Sequence, residues 1–314
     1  MRSLNDLPRL KLGLFPTPIQ RLDNISAELG TNVYIKRDDL TGLGLGGNKV
    51  RKLEFLLADA KLRGAEVVFT TGGAQSNHAM LTAAAANKVG LKPILILKKR
   101  GVTECLGNQL LEKLMGTEVI FMDTDDYEDI YREMDRIGKS LGVPWYKIPC
   151  GGSNALGTLG YVDCAREIAE QGLRVDHLIC AEGSGGTMAG LALGAKLFLR
   201  GTSVHGMIVD TEPFDEITLR LMREAAALLE ADVTVTAEDF HLTDMCGPGY
   251  AVPSPEGNEA IDLMAREEGL FLDPVYTGKA FAGLIKMARE GMFRETDNVL
   301  FLHSGGAGGL FAVR

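Results

Sequence analysis

Short apolar runs alternate with longer amphipathic stretches along nearly the whole chain. The runs have the length of buried strands, and the stretches between them repeat apolar residues at helical spacing. This alternation is typical of parallel sheets covered by helices on both faces, so it predicts an α/β fold. The predicted strands lie at 33–35, 66–70, 93–97, 118–122, 145–148, 177–181, 204–209 and 299–303. The predicted helices lie near 49–63, 77–89, 107–115, 126–141, 157–171, 186–199, 214–229, 257–268 and 278–290.

The length of the chain bears on the number of sheets. A chain of 314 residues is long for a single core, because domains usually hold roughly 100–200 residues. Two smaller sheets with a cleft between them therefore fit the length better than one continuous sheet.

Composition excludes several classes of partner. Acidic residues outnumber basic ones by 42 to 33, for a net charge of −9, which disfavours non-specific binding to nucleic acid. No apolar run reaches the ~18 residues of a membrane span. The five cysteines are scattered without metal-binding spacing, so neither a disulfide framework nor a metal site is predicted. We expect a cytoplasmic protein with free thiols.

Glycine-rich breaks follow several of the predicted strands, and most of them open a helix. In parallel α/β folds, ligands bind at the carboxyl ends of the strands, where such loops meet. We therefore expect one ligand site assembled from several segments, although some of these breaks could be tight turns only. The breaks lie at 41–48, 72–73, 151–157, 183–187 and 304–309.

Two of these breaks nearly match nucleotide-binding motifs and then depart from them. In the first, Asn48 separates the glycines from the lysine, and Val50 stands where a Mg²⁺-binding hydroxyl belongs. In the second, Met188 stands where a dinucleotide fingerprint needs glycine or alanine. The backbone N–H groups of such a loop at a helix start still favour an anion. Because Ser184 and Thr187 add hydroxyl donors, a single phosphate is the expected ligand group.

Lys49 and Ser76 are the first candidates for chemistry. Lys49 follows Asn48 at the start of a predicted helix, where its amine could form a Schiff base with an aldehyde cofactor. Pyridoxal 5'-phosphate (PLP) carries both an aldehyde and a single phosphate. The alternative is that Lys49 belongs to a solvated helix face. Ser76 also begins a predicted helix, where it could bind a substrate carboxylate or simply cap the helix.

Taken together, the motifs resemble those of the D-cysteine desulfhydrase / 1-aminocyclopropane-1-carboxylate deaminase family of fold-type-II PLP enzymes. The resemblance runs almost from end to end. It rests on Pro16-Thr-Pro18, Ile35-Lys-Arg-Asp-Asp39, Gly46-Gly-Asn-Lys49, Lys52-Leu-Glu-Phe55, Gln75-Ser-Asn-His78, Gly151-Gly-Ser153, Gly183-Ser-Gly-Gly-Thr187, Pro248-Gly-Tyr250, Asp273-Pro-Val-Tyr-Thr-Gly-Lys279 and His303-Ser-Gly-Gly306.

The resemblance implies an architecture and an assembly. It implies two parallel-sheet, three-layer domains with the cofactor in the cleft between them. The larger, PLP-binding domain would hold residues 1–52 and 161–314, and a smaller, mobile domain would hold residues 53–160. It also implies a homodimer that acts on a small amino acid.

The resemblance also assigns roles at the site. Lys49 would be the Schiff-base lysine and Asn77 the partner of the cofactor's phenolic oxygen. Ser76 would act in acid–base chemistry and, with Gln75 and Asn77, bind the substrate carboxylate. Tyr250 and Tyr276 would be the two catalytic tyrosines. The phosphate would be held by Lys52, Gly183, Ser184, Gly185, Gly186 and Thr187.

Two positions separate the branches of this family. Deaminases have glutamate and leucine where this chain has Thr277 and Ser304, and desulfhydrases have hydroxyl residues at both. A hydroxyl beside the cofactor's ring nitrogen leaves the ring a weaker electron sink than a carboxylate would. β-Elimination tolerates this because a good leaving group departs from Cβ. The leading hypothesis is therefore conversion of D-cysteine to pyruvate, ammonia and H₂S.

Three alternative functions stay open. An L-cysteate sulfo-lyase releasing sulfite shares the same landmarks, and Ala79-Met-Leu81 departs from the desulfhydrase pattern. A 1-aminocyclopropane-1-carboxylate deaminase and a catalytically silent protein that binds PLP or amino acids are the further alternatives.

Overall fold

The computed structural model describes residues 1–313 as an alternating series of strands and helices. The strands are β1 Ile19–Arg21, β2 Asn32–Arg37, β3 Val67–Thr70, β4 Lys92–Lys98, β5 Glu118–Met122, β6 Trp145–Lys147, β7 His177–Glu182, β8 Ser203–Ile208, β9 His241–Asp244 and β10 Asn298–His303. The helices are α1 Asp23–Leu29, α2 Lys49–Leu62, α3 Asn77–Lys88, α4 Gly107–Leu114, α5 Tyr127–Ser140, α6 Ala155–Glu170, α7 Gly186–Phe198, α8 Phe214–Leu228, α9 Pro255–Glu268, α10 Thr277–Arg289 and α11 Ala307–Leu310.

The strands form two sheets, as the length of the chain predicted. A six-stranded sheet has the order β1-β2-β10-β7-β8-β9, and a four-stranded sheet has the order β5-β4-β3-β6. All pairings are parallel except that of β1 with β2, which is antiparallel. The prediction of an α/β fold with two parallel sheets is confirmed, with β1 as an antiparallel edge.

Helices cover both faces of each sheet. Along β10, Leu300 and Leu302 pack in the core with α6, α7 and α8, whereas Val299 and Phe301 pack in the core with α1, α9 and α10. In the smaller sheet, Val68 packs on the side of α2 and α3, and its neighbours on β3 pack on the side of α5. Alternate side chains of a strand point to opposite faces, so each sheet is the middle of three layers.

The sequence pattern missed two strands and two helices. Strands β1 and β9 have only three and four residues, lie at the two edges of the larger sheet and contain no apolar run. Helices α1 and α11 have only seven and four residues. Elements this short provide too little periodicity to detect.

The four strands of the smaller sheet lie between residues 67 and 147, inside the range predicted for the smaller domain. The helix α6, which begins before residue 160, packs against α7 in the core of the larger sheet. The division at 53–160 and the mobility of that part stay predictions. Within residues 1–313, no helix is both long and apolar enough to cross a membrane.

Candidate active site

The carboxyl ends of strands from both sheets border one cleft. Each of the five glycine-rich breaks contributes to its wall, as expected for a site assembled from separate loops. The cleft holds about 670 Å³ of atom-free space when its open mouth is included, and its walls combine polar and apolar groups, as those of small-molecule sites do. Its lining is Asn48, Lys49, Gly72, Gly73, Ser76, Asn77, His78, Tyr127, Cys150, Gly151, Ala181, Glu182, Gly183, Ser184, Gly185, Thr187, Asp210, Tyr250, Tyr276 and Ser304.

Lys49 is the first residue of α2 and is held in the cleft by the loop before it. At Gly46 a Cβ atom would lie 1.8 Å from the carbonyl oxygen of Asp39, so only glycine fits this turn. Asn48 fixes the next position, because its side chain donates to Thr187 Oγ1 at 3.0 Å and its backbone N–H donates to the Ser304 carbonyl at 3.0 Å. Burial lowers the pKa of Lys49, which favours the neutral amine that a nucleophile or base requires.

The loop from Gly183 to Thr187 joins β7 to α7. Gly185 has a positive φ of 83°, and a Cβ at Gly186 would lie 2.8 Å from Lys52 Nζ. Lys52 lies behind the loop and donates to the Gly151 carbonyl at 3.1 Å and to Ser153 Oγ at 3.2 Å. A glycine loop at a helix N-terminus with an adjacent lysine fits a single phosphate. These residues therefore fit the phosphate of PLP.

Ser76 and Asn77 lie where α3 begins. Ser76 is the N-cap of α3 and accepts a hydrogen bond from the Ala79 N–H at 3.2 Å, while it also lines the cleft. Asn77 accepts a hydrogen bond from the Asn108 amide at 2.7 Å. The first N–H groups of a helix have no acceptor inside the helix. This end of α3 can therefore bind a carboxylate.

Tyr250 and Tyr276 meet across the cleft wall, with 2.6 Å between their hydroxyl oxygens. Burial raises the pKa of both phenols, so both keep their protons at neutral pH. The pair can therefore donate a proton or a hydrogen bond into the cleft.

Four residues predicted to contact substrate or cofactor are absent from the cleft lining, namely Lys52, which lies behind the phosphate loop, Gly186, which belongs to that loop, and Gln75 and Thr277. Gln75 points into the 102–108 segment: its amide donates to the carbonyls of Val102 and Leu106, both at 3.2 Å, and its oxygen accepts from the Asn108 N–H. Thr277 is fully buried, and its hydroxyl donates to Asp273 Oδ1 and accepts from the Asp273 N–H, both at 2.7 Å. The two side chains fasten loops, so of the predicted hydroxyl pair only Ser304 reaches the cleft.

Four lining residues escaped the sequence analysis. Tyr127, Cys150, Glu182 and Asp210 all line the cleft. Each ends or closely follows a strand, so the rule that ligands bind at the carboxyl ends of strands could have found them. Asp210 forms an ion pair of 3.0 Å with Arg100, which joins the loop after β4 to the loop after β8.

Replacing Ser76 by alanine separates its two roles. We expect turnover to fall by about 10²–10⁴-fold, as for loss of a positioned acid–base group, and unfolding free energy to fall by about 1 kcal/mol, as for loss of a cap. Steady-state kinetics and urea unfolding measure the two effects.

Ser254→Ala is the matched control for this prediction. Ser254 caps α9 by accepting from the Gly257 N–H at 3.1 Å, is 4% exposed and lies outside the cleft lining. It should lose the same stability without losing turnover. Equal turnover in the Ser76→Ala variant and its control would leave Ser76 only a capping role.

Comparisons with known proteins identify the family of this chain. The family model for pyridoxal-phosphate dependent enzymes matches residues 10–305. A Pyrococcus horikoshii protein named "Putative 1-aminocyclopropane-1-carboxylate deaminase" is 45% identical over 98% of this chain and 94% of its own length. A Thermotoga maritima protein of the same name is 44% identical over 97% of this chain and 98% of its own length. A crystal structure of an ACC deaminase homologue superposes with a TM-score of 0.92 at 44% identity, covering 98% of this chain and 94% of that one.

The fold and the cleft thus define an enzyme that uses PLP. The chain belongs to the family of pyridoxal-phosphate-dependent enzymes. Within it, the chain falls in the 1-aminocyclopropane-1-carboxylate deaminase / D-cysteine desulfhydrase group that its motifs resemble.

Proposed function

We propose that this protein catalyses β-elimination on a small β-substituted amino acid, with D-cysteine as the substrate and pyruvate, ammonia and H₂S as the products. The observation that carries the proposal is that Ser304, a hydroxyl residue, lines the cleft at a position where the deaminase branch has no hydroxyl. A neutral group there suits elimination, which needs less electron withdrawal than opening of a cyclopropane ring.

The carboxylates around the cleft support the same choice. Glu182 accepts hydrogen bonds from the phosphate loop, and Asp210 pairs with Arg100. Asp273 has both oxygens engaged, by the N–H groups of residues 275–277 and the Thr277 hydroxyl. The two carboxylates that line the cleft in the described part of the chain, Glu182 and Asp210, thus each have one oxygen bound to a protein partner, and Asp273 lies outside the lining. A carboxylate already directed to another partner is a poor candidate to hold a proton on the ring nitrogen.

The residues of the cleft divide the work of the reaction. Bound PLP supplies the electron sink that acidifies the substrate's Cα–H bond. We propose that Lys49 binds the cofactor and removes that proton with its neutral amine, and that Ser76 assists in this acid–base chemistry. Ser76, Asn77 and the N-terminus of α3 hold the substrate carboxylate. Tyr250 or Tyr276 would then donate a proton to the departing sulfur.

Two other activities remain as candidates. Ring-opening deamination is favoured by the names of the full-length relatives. Release of sulfite from L-cysteate would use the same residues, because sulfite also leaves from Cβ.

A substrate panel tests the proposal. The purified protein is incubated with D-cysteine, L-cysteine, L-cysteate, β-chloro-D-alanine and 1-aminocyclopropane-1-carboxylate, and pyruvate, 2-oxobutanoate, sulfide and sulfite are measured. We expect pyruvate from D-cysteine and β-chloro-D-alanine and almost no 2-oxobutanoate. The Lys49→Ala protein serves as the negative control.

Each alternative has its own result in this panel. Rapid formation of 2-oxobutanoate would assign the chain to the deaminase branch, and sulfite from L-cysteate would assign the sulfo-lyase activity. A change in cofactor absorbance without any keto acid would indicate a binding protein.

The homodimer and the cytoplasmic location stay predictions. A second copy would cover the exposed face of α4 formed by Leu106, Leu110 and Leu114, which are 48%, 44% and 74% exposed. Sedimentation velocity would measure the dimer directly.

A further inference from the structure

The donors of the phosphate loop are already occupied by acceptors from the chain itself. Glu182 Oε1 accepts from the N–H groups of Ser184, at 3.0 Å, and Gly185, at 2.5 Å. The N–H of Gly186 donates to Ser153 Oγ at 3.2 Å. These three N–H groups, at the start of α7, are the ones that a bound phosphate would use.

Glu182 is an unusual acceptor for this position. It is the last residue of β7 and only 1% exposed, and its second oxygen, Oε2, is buried without a protein partner among residues 1–313. Burial raises the pKa of Glu182, although the two loop N–H groups and the amines of Lys52 and Lys49 oppose this effect.

Burial and the neighbouring Lys49 lower the pKa of the Lys52 amine well below its ordinary value, and three further titratable groups around this loop are uncharged at neutral pH. His78, on α3, is buried and has a pKa held well below its usual value by burial and by Lys49 and Lys52. Burial raises the pKa of the Cys150 and Cys180 thiols, so both are protonated. Glu182 is therefore the group whose negative charge competes directly with a phosphate.

A phosphate and an ionised Glu182 cannot share these donors. The phosphate carries about two negative charges at pH 7, and a second anion beside it in a buried loop is strongly disfavoured. The Ser153 hydroxyl can rotate and donate to the phosphate, whereas a carboxylate has no proton to donate. We propose that Glu182 competes with the phosphate of PLP for the N–H donors of this loop and takes up one proton when the phosphate binds there.

The proposal predicts how affinity depends on pH. Uptake of one proton weakens binding by up to tenfold per pH unit as the pH rises. Between pH 7 and 9 the phosphate of free PLP is already doubly charged, so it takes up no proton of its own, and titration of the pyridine nitrogen is common to PLP and pyridoxal. Pyridoxal, which has the aldehyde but no phosphate, provides the reference, because the chemistry at Lys49 is common to both ligands.

The experiment compares wild type, Glu182→Gln and the matched control Glu112→Gln. Glu112 is another fully buried glutamate, on α4, whose pKa burial raises to about 8, and it lies outside the cleft. Dissociation constants of PLP and pyridoxal are measured by absorbance on cofactor-free protein at several pH values. Calorimetry in buffers of different ionisation enthalpy counts the protons taken up.

We expect wild type and Glu112→Gln to lose PLP affinity relative to pyridoxal as the pH rises. Glu182→Gln should take up one proton fewer with PLP, bind PLP at least tenfold more tightly at pH 8 and bind pyridoxal unchanged. Equal proton uptake in wild type and Glu182→Gln would overturn the proposal. So would wild type that takes up no more protons with PLP than with pyridoxal, and this result does not depend on any variant folding.

Discussion

Replacing Lys49 by alanine is expected to abolish catalysis and the yellow colour of the bound cofactor together. The variant loses both the amine that binds the cofactor covalently and the base proposed for the Cα proton. Either loss alone typically costs about 10²–10⁴-fold in rate, so turnover should fall by more than about 10⁴-fold. The phosphate loop is untouched, so PLP should still bind without its covalent link. Visible absorbance and a pyruvate assay measure the two effects.

Lys61→Ala is the control for this prediction. Lys61 belongs to the same helix, α2, but its side chain is exposed and donates only to the Val89 carbonyl. This variant should keep both colour and turnover. A Lys49→Ala protein with wild-type turnover would refute the assignment of Lys49 and, with it, the mechanism proposed for the cleft.

Replacing Arg51 by alanine is expected to cause the largest loss of stability. The Arg51 guanidinium, fully buried two residues after Lys49, bonds both oxygens of Asp38 and both oxygens of Glu167 at 2.8–2.9 Å. The ion pairs tie α2 to the end of β2 and to α6. Removing the cation leaves the buried Asp38 without an ion-pair partner, while Glu167 keeps Lys36. Loss of one partner of a buried pair typically costs about 3–5 kcal/mol. Urea unfolding at pH 7 measures this loss.

The difference in unfolding free energy between wild type and Arg51→Ala should become smaller at acid pH. Burial alone would raise the pKa of Asp38, but the Arg51 charge and hydrogen bonds hold it below its ordinary value of 3.8. Wild type therefore loses stability as the pH falls below about 4, where the unfolded carboxyl takes up protons first. In the Arg51→Ala variant, burial raises the pKa of the folded Asp38 carboxyl above its unfolded value. The folded variant therefore binds protons more readily than the unfolded chain, and its free energy of unfolding rises as the pH falls.

Arg136→Ala is the control on the surface. Arg136 pairs with Glu133 one turn away on α5, and its side chain is 70% exposed. Its loss should cost under about 1 kcal/mol. An Arg51→Ala protein no less stable than this control would show that the buried ion pairs contribute no net stability.

Much of the fold was readable because its signals are local. All eight predicted strands correspond to strands of the structure, and the nine predicted helices to helices, within a few residues. Apolar periodicity reports burial along one element, and burial of whole strands on both faces requires a parallel α/β arrangement. Lys49 at a helix start and the 183–187 loop were equally visible, since a glycine loop before a helix needs only neighbouring residues.

The sequence could not predict the contacts of Gln75 and Thr277, because a motif gives a residue's position and not the direction of its side chain. Gln75 turns to a segment about thirty residues further along the chain. Thr277, the first residue of α10, turns back to Asp273, and its hydroxyl donates to and accepts from that residue. The family resemblance predicted that both residues contact substrate or cofactor, whereas in the structure neither residue lines the cleft.

The contact between Glu182 and the phosphate loop depends on how the chain folds and cannot be predicted from the sequence. In the sequence, Glu182 is an acidic residue that precedes a glycine. Nothing in the sequence shows whether its side chain faces solvent or the loop. Folding buries β7 beneath α7 and brings Lys52 up behind the loop, so the Glu182 carboxylate loses water and accepts from the loop's own N–H groups. The sequence alone was enough to predict most of the elements, the family and Lys49 as the candidate Schiff-base lysine. Which polar groups compete for the phosphate donors depended on long-range packing, because only packing removes the water that would otherwise satisfy them.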